Sequence, residues 1–239
     1  MSDEASPRPG AYAAVTGAGG AVGPHLAAAL VERGWEVALL TRPGGEERAA
    51  ARVADLTGGR AARAAVGLDL TDERTTQATF AGLAEKLGHC AILINAVGGF
   101  AMKPAHEATA ADLEHMLGRN LVSAVNATRA ALPGMRERGA GFVLGVSAGA
   151  ARNPAPGRTA YAAAKGAVSG YFRSLAAELA GTGVHAAVIV PMGTIDTEPN
   201  RAAMPGADFS AWIPVSSIVS AALYLASHPG VRELEVHAG

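Results

Sequence analysis

The chain has 239 residues, 49% of them apolar but only 5% aromatic, and its 20 Lys and Arg nearly balance 21 Asp and Glu for a net charge of −1. That length suits one large α/β domain with a substantial core. The balanced charge, with no basic run, argues against nucleic acid or an anionic membrane surface as a partner.

In chain order, residues 1–10, MSDEASPRPG, read as a disordered polar tail ahead of a single domain over 11–239. The tail lacks the apolar stretch of a signal peptide, and no later apolar run is long enough to span a bilayer, so a soluble cytoplasmic protein is expected. A strand over 11–16 leads into a Gly-rich turn and a helix over 22–33, with Pro24 in the first helical turn, where its missing N–H costs nothing. Gly34 ends that helix. There follow a strand at 36–40, a helix near 46–56, a strand near 64–68 and a helix near 72–87. A continuous apolar strand covers 91–95, as expected when both sheet faces are covered. Cys90, the only cysteine, lies in that apolar stretch and suits a buried thiol rather than a nucleophile. Helix is expected over 110–138, broken near its end by Pro133-Gly134. A strand at 142–146, a helix over 159–181, an apolar strand at 184–190 and a loop over 191–214 come next. A helix at 216–227 and a strand at 233–237 close the chain. Such alternation predicts a parallel sheet with helices on both faces, because parallel strands need crossover connections.

Two constellations carry chemistry. Thr16-Gly-Ala-Gly-Gly-Ala-Val-Gly23 follows a strand and opens a helix, the context in which glycines let the backbone approach a dinucleotide pyrophosphate at a helix N-terminus. Gly17, Gly20 and Gly23 are its key positions. Cofactor choice is read at the end of the second strand, where Thr41-Arg42 offers no carboxylate for ribose hydroxyls but a guanidinium for a phosphate, so NADP(H) is favoured over NAD(H). Asp69, after the third strand, is placed to meet the adenine amino group. Tyr161 and Lys165, four apart on a helix, project side by side; a cation near a phenol favours the phenolate and suits the pair to proton transfer. The seven histidines show no ligand spacing, so no metal is expected. Phe100, Met102 and Trp212 are candidate pocket residues.

Together Thr16 to Gly23, Asn95-Ala-Val-Gly98, Asn120, Tyr161 and Lys165 resemble the short-chain dehydrogenase/reductase family, in order and spacing, over about residues 11–212. The resemblance implies a Rossmann-type doubly wound sheet and NAD(P)H-dependent reduction of a carbonyl, conjugated imine or quinonoid group of a small molecule. It gives Tyr161 the role of proton donor. Lys165 would hold the nicotinamide ribose and lower the tyrosine pKa, and Asn120 would anchor a water linking lysine to solvent. Cofactor contacts are implied from Gly17, Gly19, Gly20, Val22, Gly23, Thr41, Arg42, Asp69, Leu70, Asn95, Ala96, Tyr161 and Lys165, with Thr194 and Thr197 on the carboxamide. Relatives associate through the helices matching 112–138 and 159–181, which implies a homodimer or homotetramer.

Departures from the family pattern are informative. The serine usual thirteen residues before the tyrosine is Ala148 here. Ser147 stands one residue earlier, where strand alternation turns it away unless a local irregularity restores it; it is retained as a catalytic candidate. Ala21 replaces the middle glycine of the first turn. Both changes, and the segments 194–197 and 200–212, are similar to the dihydropteridine reductase branch, which implies a quinonoid dihydropterin as an alternative substrate. Thr41 departs from that branch, whose members prefer NADH and carry an acid there. Pro191-Met-Gly-Thr194 is one residue longer than the branch pattern. The loop over 191–214 would cover the substrate. A reading of another class is a non-redox cofactor-binding or sensing protein on the same fold, and a third is dehydration or epimerisation without net cofactor oxidation.

Overall fold

The recurring apolar runs pair side by side into one parallel sheet. The computed structural model describes residues 9–239. Its strands are β1 (Ala11–Thr16), β2 (Glu36–Thr41), β3 (Ala64–Gly67), β4 (His89–Asn95), β5 (Gly141–Val146), β6 (Val184–Pro191), β7 (Ile195–Asp196), β8 (Ile213–Pro214) and β9 (Glu233–Val236). Seven of them form the main sheet in the order β3-β2-β1-β4-β5-β6-β9, every neighbouring pair parallel, while β7 and β8 pair separately. The chain winds outward from β1 in one direction and then from β4 in the other. The reversal lies between β1 and β4, where the connections depart to opposite faces and leave a crevice at the strands' C-terminal ends.

Helices α1 (Gly23–Glu32), α2 (Glu46–Leu56), α3 (Glu73–Leu87), α4 (Ala110–Leu117), α5 (Ser123–Arg138), α6 (Thr159–Glu178), α7 (Glu198–Ala203) and α8 (Val215–Ser227) supply the crossovers and the cover. Because strand side chains alternate, each strand feeds two cores. Val15, Leu39, Ile94 and Leu144 meet Leu26, Leu30, Ile218 and Leu225 on one face. Ala14, Leu40, Leu93 and Val143 meet Phe80, Met135, Phe172 and Leu175 on the other. Small strand residues set the helix distance: the Phe172 ring lies directly on Gly145, and the Met135 side chain lies on Gly141. Burial pushes the Cys90 thiol up to about 12, which leaves it protonated.

Several boundaries differ from expectation. Residues 1–8 of the expected tail lie outside the described residues; Pro9-Gly10 forms a turn whose Gly10 carbonyl accepts from His89 N at 3.1 Å. The helical break near 110–138 falls at a π-turn, Gly118–Val122, and not at Pro133, which sits inside α5. A proline removes one helical hydrogen bond, yet α5 continues because Ala127, Ala131 and Met135 remain buried around it. The helix predicted to 181 ends at Glu178. The stretch over 191–214 is not structureless: it folds into β7, α7, a turn of 3-10 helix at Phe209–Ala211, and β8.

Phe172 has no exposed surface. Phe172→Ala would leave a cavity against Gly145 and should lower unfolding free energy by about 3–5 kcal/mol, read from urea denaturation.

Candidate active site

The turn after β1 has the shape an anion requires. Gly20 N bonds Gly17 O at 2.9 Å, closing a tight reversal. Gly17 has φ +69°, and a Cβ there would lie 2.7 Å from the Ala96 carbonyl at the end of β4, so only glycine permits the close approach of the two strand ends. A Cβ on Gly23 would strike the Gly17 carbonyl, and one on Gly19 would lie 2.5 Å from Thr41 Oγ1. The first turn of α1 carries no side-chain cap and no acidic residue. Pro24 has no N–H and His25 N bonds Val22 O at 3.1 Å, so the Gly23 N–H is the one this turn leaves for an anion, and a cofactor pyrophosphate fits the cradle of Gly17, Gly19, Gly20 and Gly23. Thr41 is buried beneath the turn, and Arg42 projects from the strand end, exposed and without an ion-pair partner among the described residues.

The second half of the site gathers on β5, α6 and the π-turn. Lys165 is buried to 6% exposure, and its Nζ donates to Val146 O at 2.9 Å. Burial alone lowers its pKa to about 8. Asn120 reaches the same spot from the other side: its Oδ1 accepts from Gly99 N at 3.2 Å, and its Nδ2 donates to Met116 O at 2.9 Å and Gly99 O at 3.2 Å. Gly98 lies between them; a Cβ there would be 3.1 Å from Asn120 Oδ1 and 3.3 Å from Lys165 Nζ. The π-turn has its own closure. Ser123 N bonds Gly118 O, five residues back, and Ser123 Oγ takes the bypassed Arg119 carbonyl at 2.8 Å.

Tyr161 is half-buried one turn before Lys165. Burial raises its pKa, and the charge that opposes the rise is the Arg158 guanidinium, not the Lys165 ammonium. The phenol is therefore protonated at neutral pH. The Phe100 ring meets Tyr161 edge-on at 4.9 Å.

The one-residue offset of the serine has a clear structural outcome. Ser147 is buried; its Oγ donates to Lys165 O at 2.9 Å and accepts from Ser169 Oγ at 2.7 Å. Its hydroxyl is thus engaged with α6, beneath the lysine, while Ala148 stands at the position thirteen before Tyr161. Asn95 is buried with its Oδ1 unpartnered and its Nδ2 donating weakly to Thr128 Oγ1 at 3.5 Å. Asp69 closes a local turn by accepting from Thr71 N and Oγ1. Leu70 is buried, and its carbonyl accepts from Asn126 Nδ2 at 2.9 Å. Thr197 caps α7, and Thr194 O accepts from Ile213 N. Among the expected pocket residues Trp212 is buried against Phe209, whereas Phe100 and Met102 are exposed. Two groups missed in the sequence adjoin the site: Arg119, whose Nη2 donates to Gly98 O at 3.3 Å, and Arg158. Arg158 was discoverable, because three residues before Tyr161 on a helix is the same face.

Known proteins bring the fold and this constellation together. The sequence model described as short chain dehydrogenase matches residues 11–207, and the chain belongs to that family. It is 32% identical over 198 residues to 2-(S)-hydroxypropyl-CoM dehydrogenase 3 of Xanthobacter autotrophicus, covering 82% of this chain and 76% of that one. It is 34% identical over 230 residues to galactitol 2-dehydrogenase (L-tagatose-forming) of Cereibacter sphaeroides, covering 91% and 88%. The crystal structure of a candidate gluconate dehydrogenase from Agrobacterium tumefaciens superposes with a TM-score of 0.84 at 27% identity, covering 97% and 96%. The protein is accordingly an oxidoreductase that works with NAD(H) or NADP(H) on a small molecule. Among the described residues no helix is long and apolar enough to cross a membrane.

The depressed Lys165 pKa has a sign that can be checked. Between about 8 and 10.5 the folded chain binds fewer protons at this residue than the unfolded chain, so its contribution to stability rises with pH. Lys165→Met should remove that rise. Thermal midpoints of nucleotide-free protein, compared between about pH 8 and pH 10, should climb less in the variant, and parallel curves would contradict the assignment.

Proposed function

We propose that the enzyme is a reductase preferring NADPH, which converts a carbonyl group of a small molecule to an alcohol with Tyr161 as proton donor. The observation that carries this reading is the placement of Tyr161 on α6, half-buried one turn before the buried Lys165 and edge-on to Phe100. When bound, the dihydronicotinamide supplies the hydride that the substrate carbon takes up. The chain's residues supply the rest. Gly17, Gly19, Gly20, Val22 and Gly23 hold the pyrophosphate, Asp69, Leu70, Asn95 and Ala96 border the adenosine, and Thr194 and Thr197 serve the carboxamide end. Tyr161 gives its proton to the substrate oxygen as charge develops there, and the Lys165 ammonium stabilises the phenolate left behind. Asn120 and Lys165 both border Gly98, so a single water between them can return a proton from solvent. Ser147 braces the Lys165 backbone and leaves the substrate oxygen without the donor that Ala148 lacks. The segment over 191–214 covers the substrate.

The preference for NADPH rests on Arg42, exposed at the tip of β2 without a competing carboxylate, and on the absence of an acid at Thr41. The relatives named above act, by their names, on hydroxypropyl-CoM and galactitol, which supports an alcohol–ketone pair. The comparisons carry the family and not the dihydropteridine reductase branch, so a dihydropterin is not the substrate favoured here.

Tyr161→Phe should lower turnover by about a hundredfold or more while the NADPH dissociation constant, read from nucleotide fluorescence, stays within about threefold. Comparable turnover in the variant would remove Tyr161 as donor. Arg42→Ala should weaken NADPH binding about tenfold and NADH binding much less, since one charge-assisted phosphate contact is lost. Equal effects on both nucleotides would remove the preference.

A further inference from the structure

Among the described residues, the arginines without a carboxylate partner are exposed to solvent, with the exception of Arg158. Arg152 holds Glu233 and Glu235, Arg173 holds Glu233, Arg129 holds Glu73 and Arg201 holds Asp196. Arg158, three residues before Tyr161, has none among the described residues. It is half-buried, and its Nε is closed off from solvent with no hydrogen-bond partner. Its Cζ lies 5.7 Å from the centre of the Phe100 ring, which in turn meets Tyr161 edge-on. Leaving a desolvated guanidinium N–H unsatisfied is unfavourable. The position adds to the cost, because Arg158 is the N-cap of α6, where the helix dipole repels a cation. The Phe100 ring offsets part of that cost and helix capping does not account for the residue, whereas an incoming anion would satisfy the terminal N–H groups of the guanidinium and the helix end. Arg119, lying over Gly99 and likewise without a carboxylate among the described residues, adds a second positive charge to this rim.

We propose that Arg158 anchors an anionic substituent of the substrate, a carboxylate or sulfonate, so that the carbonyl compound reduced beside Tyr161 is itself an anion. The planar guanidinium fork matches such a group in two parallel hydrogen bonds. The exposed Phe100 ring, between Arg158 and Tyr161, lines the apolar link between the anion and the reacting carbonyl. The proposal rests on the reading of Tyr161 as the group that meets the substrate oxygen, but its test does not require turnover.

The probes are 4-oxopentanoate, 3-oxobutane-1-sulfonate and the neutral methyl 4-oxopentanoate, titrated by calorimetry into the NADP+ complex, where no reduction can occur. The wild-type protein should bind one or both anions at least about tenfold more tightly than the ester, the preference shrinking as salt is raised. In Arg158→Gln the preference should fall to within about twofold, in Arg158→Lys it should be intermediate, and the NADP+ dissociation constant should hold within about twofold. If the Gln variant does not fold, the severalfold weakening expected of Arg158→Lys carries the test. No anion preference in the wild type, or a preference that survives in Arg158→Gln, would overturn the proposal. So would equal weakening of NADP+, which would assign Arg158 to the cofactor. The two readings fail separately. Arg158-dependent anion binding in a protein that oxidises NADPH with none of the ketones keeps the anchor and removes the reductase. Equal NADPH oxidation with acid and ester in both proteins does the reverse.

Discussion

A single buried ammonium organises this site. Lys165 carries its charge into the interior with one carbonyl, Val146 O, as its hydrogen-bond acceptor among the described residues. Removing a charge from water is costly unless polar groups surround it, and the neighbourhood is built to that demand. The strand end of β5 presents the carbonyl, Ser147 and Ser169 fasten the lysine's own turn of α6 to β5, and Gly98 leaves room above the amine. The residual penalty is visible in the lowered pKa. A group so held keeps a positive charge in the interior one helical turn beyond Tyr161, whose pKa burial raises.

The sheet order explains why such a device can act on a nucleotide. Reversal of winding between β1 and β4 opens the crevice, and Gly17 against Ala96 is the point where its two walls touch. One wall carries the glycine turn, the other the loop from Gly98 to Phe100 and the helix with Tyr161 and Lys165. The helix bearing the π-turn also spans both functions. Asn120 binds the Gly99 backbone at its start, and Asn126, less than two turns on, holds the Leu70 and Thr71 carbonyls of the loop after β3. The loops after β3 and after β4 are therefore tied to one rigid element.

Much of this was legible in the residues because it is local. The glycine turn announces itself by a strand before it and a helix after it, and the helix with Tyr161 and Lys165 by its spacing. The misplaced features are those without a local signature. Pro133-Gly134 advertises a helix break that burial of α5 overrides, whereas the π-turn at Gly118–Val122 has no composition cue and is closed by one serine hydroxyl. The direction of Ser147 depended on what α6 offered it. The cation nearest in effect to Tyr161 is Arg158 rather than Lys165, because the lysine points to Val146 and the arginine has no acid to draw it away.

The sequence by itself determined the alternation of strands and helices, the glycine turn and the placement of Tyr161 and Lys165 four apart on one helix, since each depends on spacing within a few residues. Only the tertiary structure decided which hydroxyl is tied to α6, which arginine lacks a partner and how Asn120 meets Lys165 across Gly98. Those outcomes depend on groups far apart in the chain competing for the same few hydrogen bonds, and such competition is settled only when the sheet and its helices have closed together.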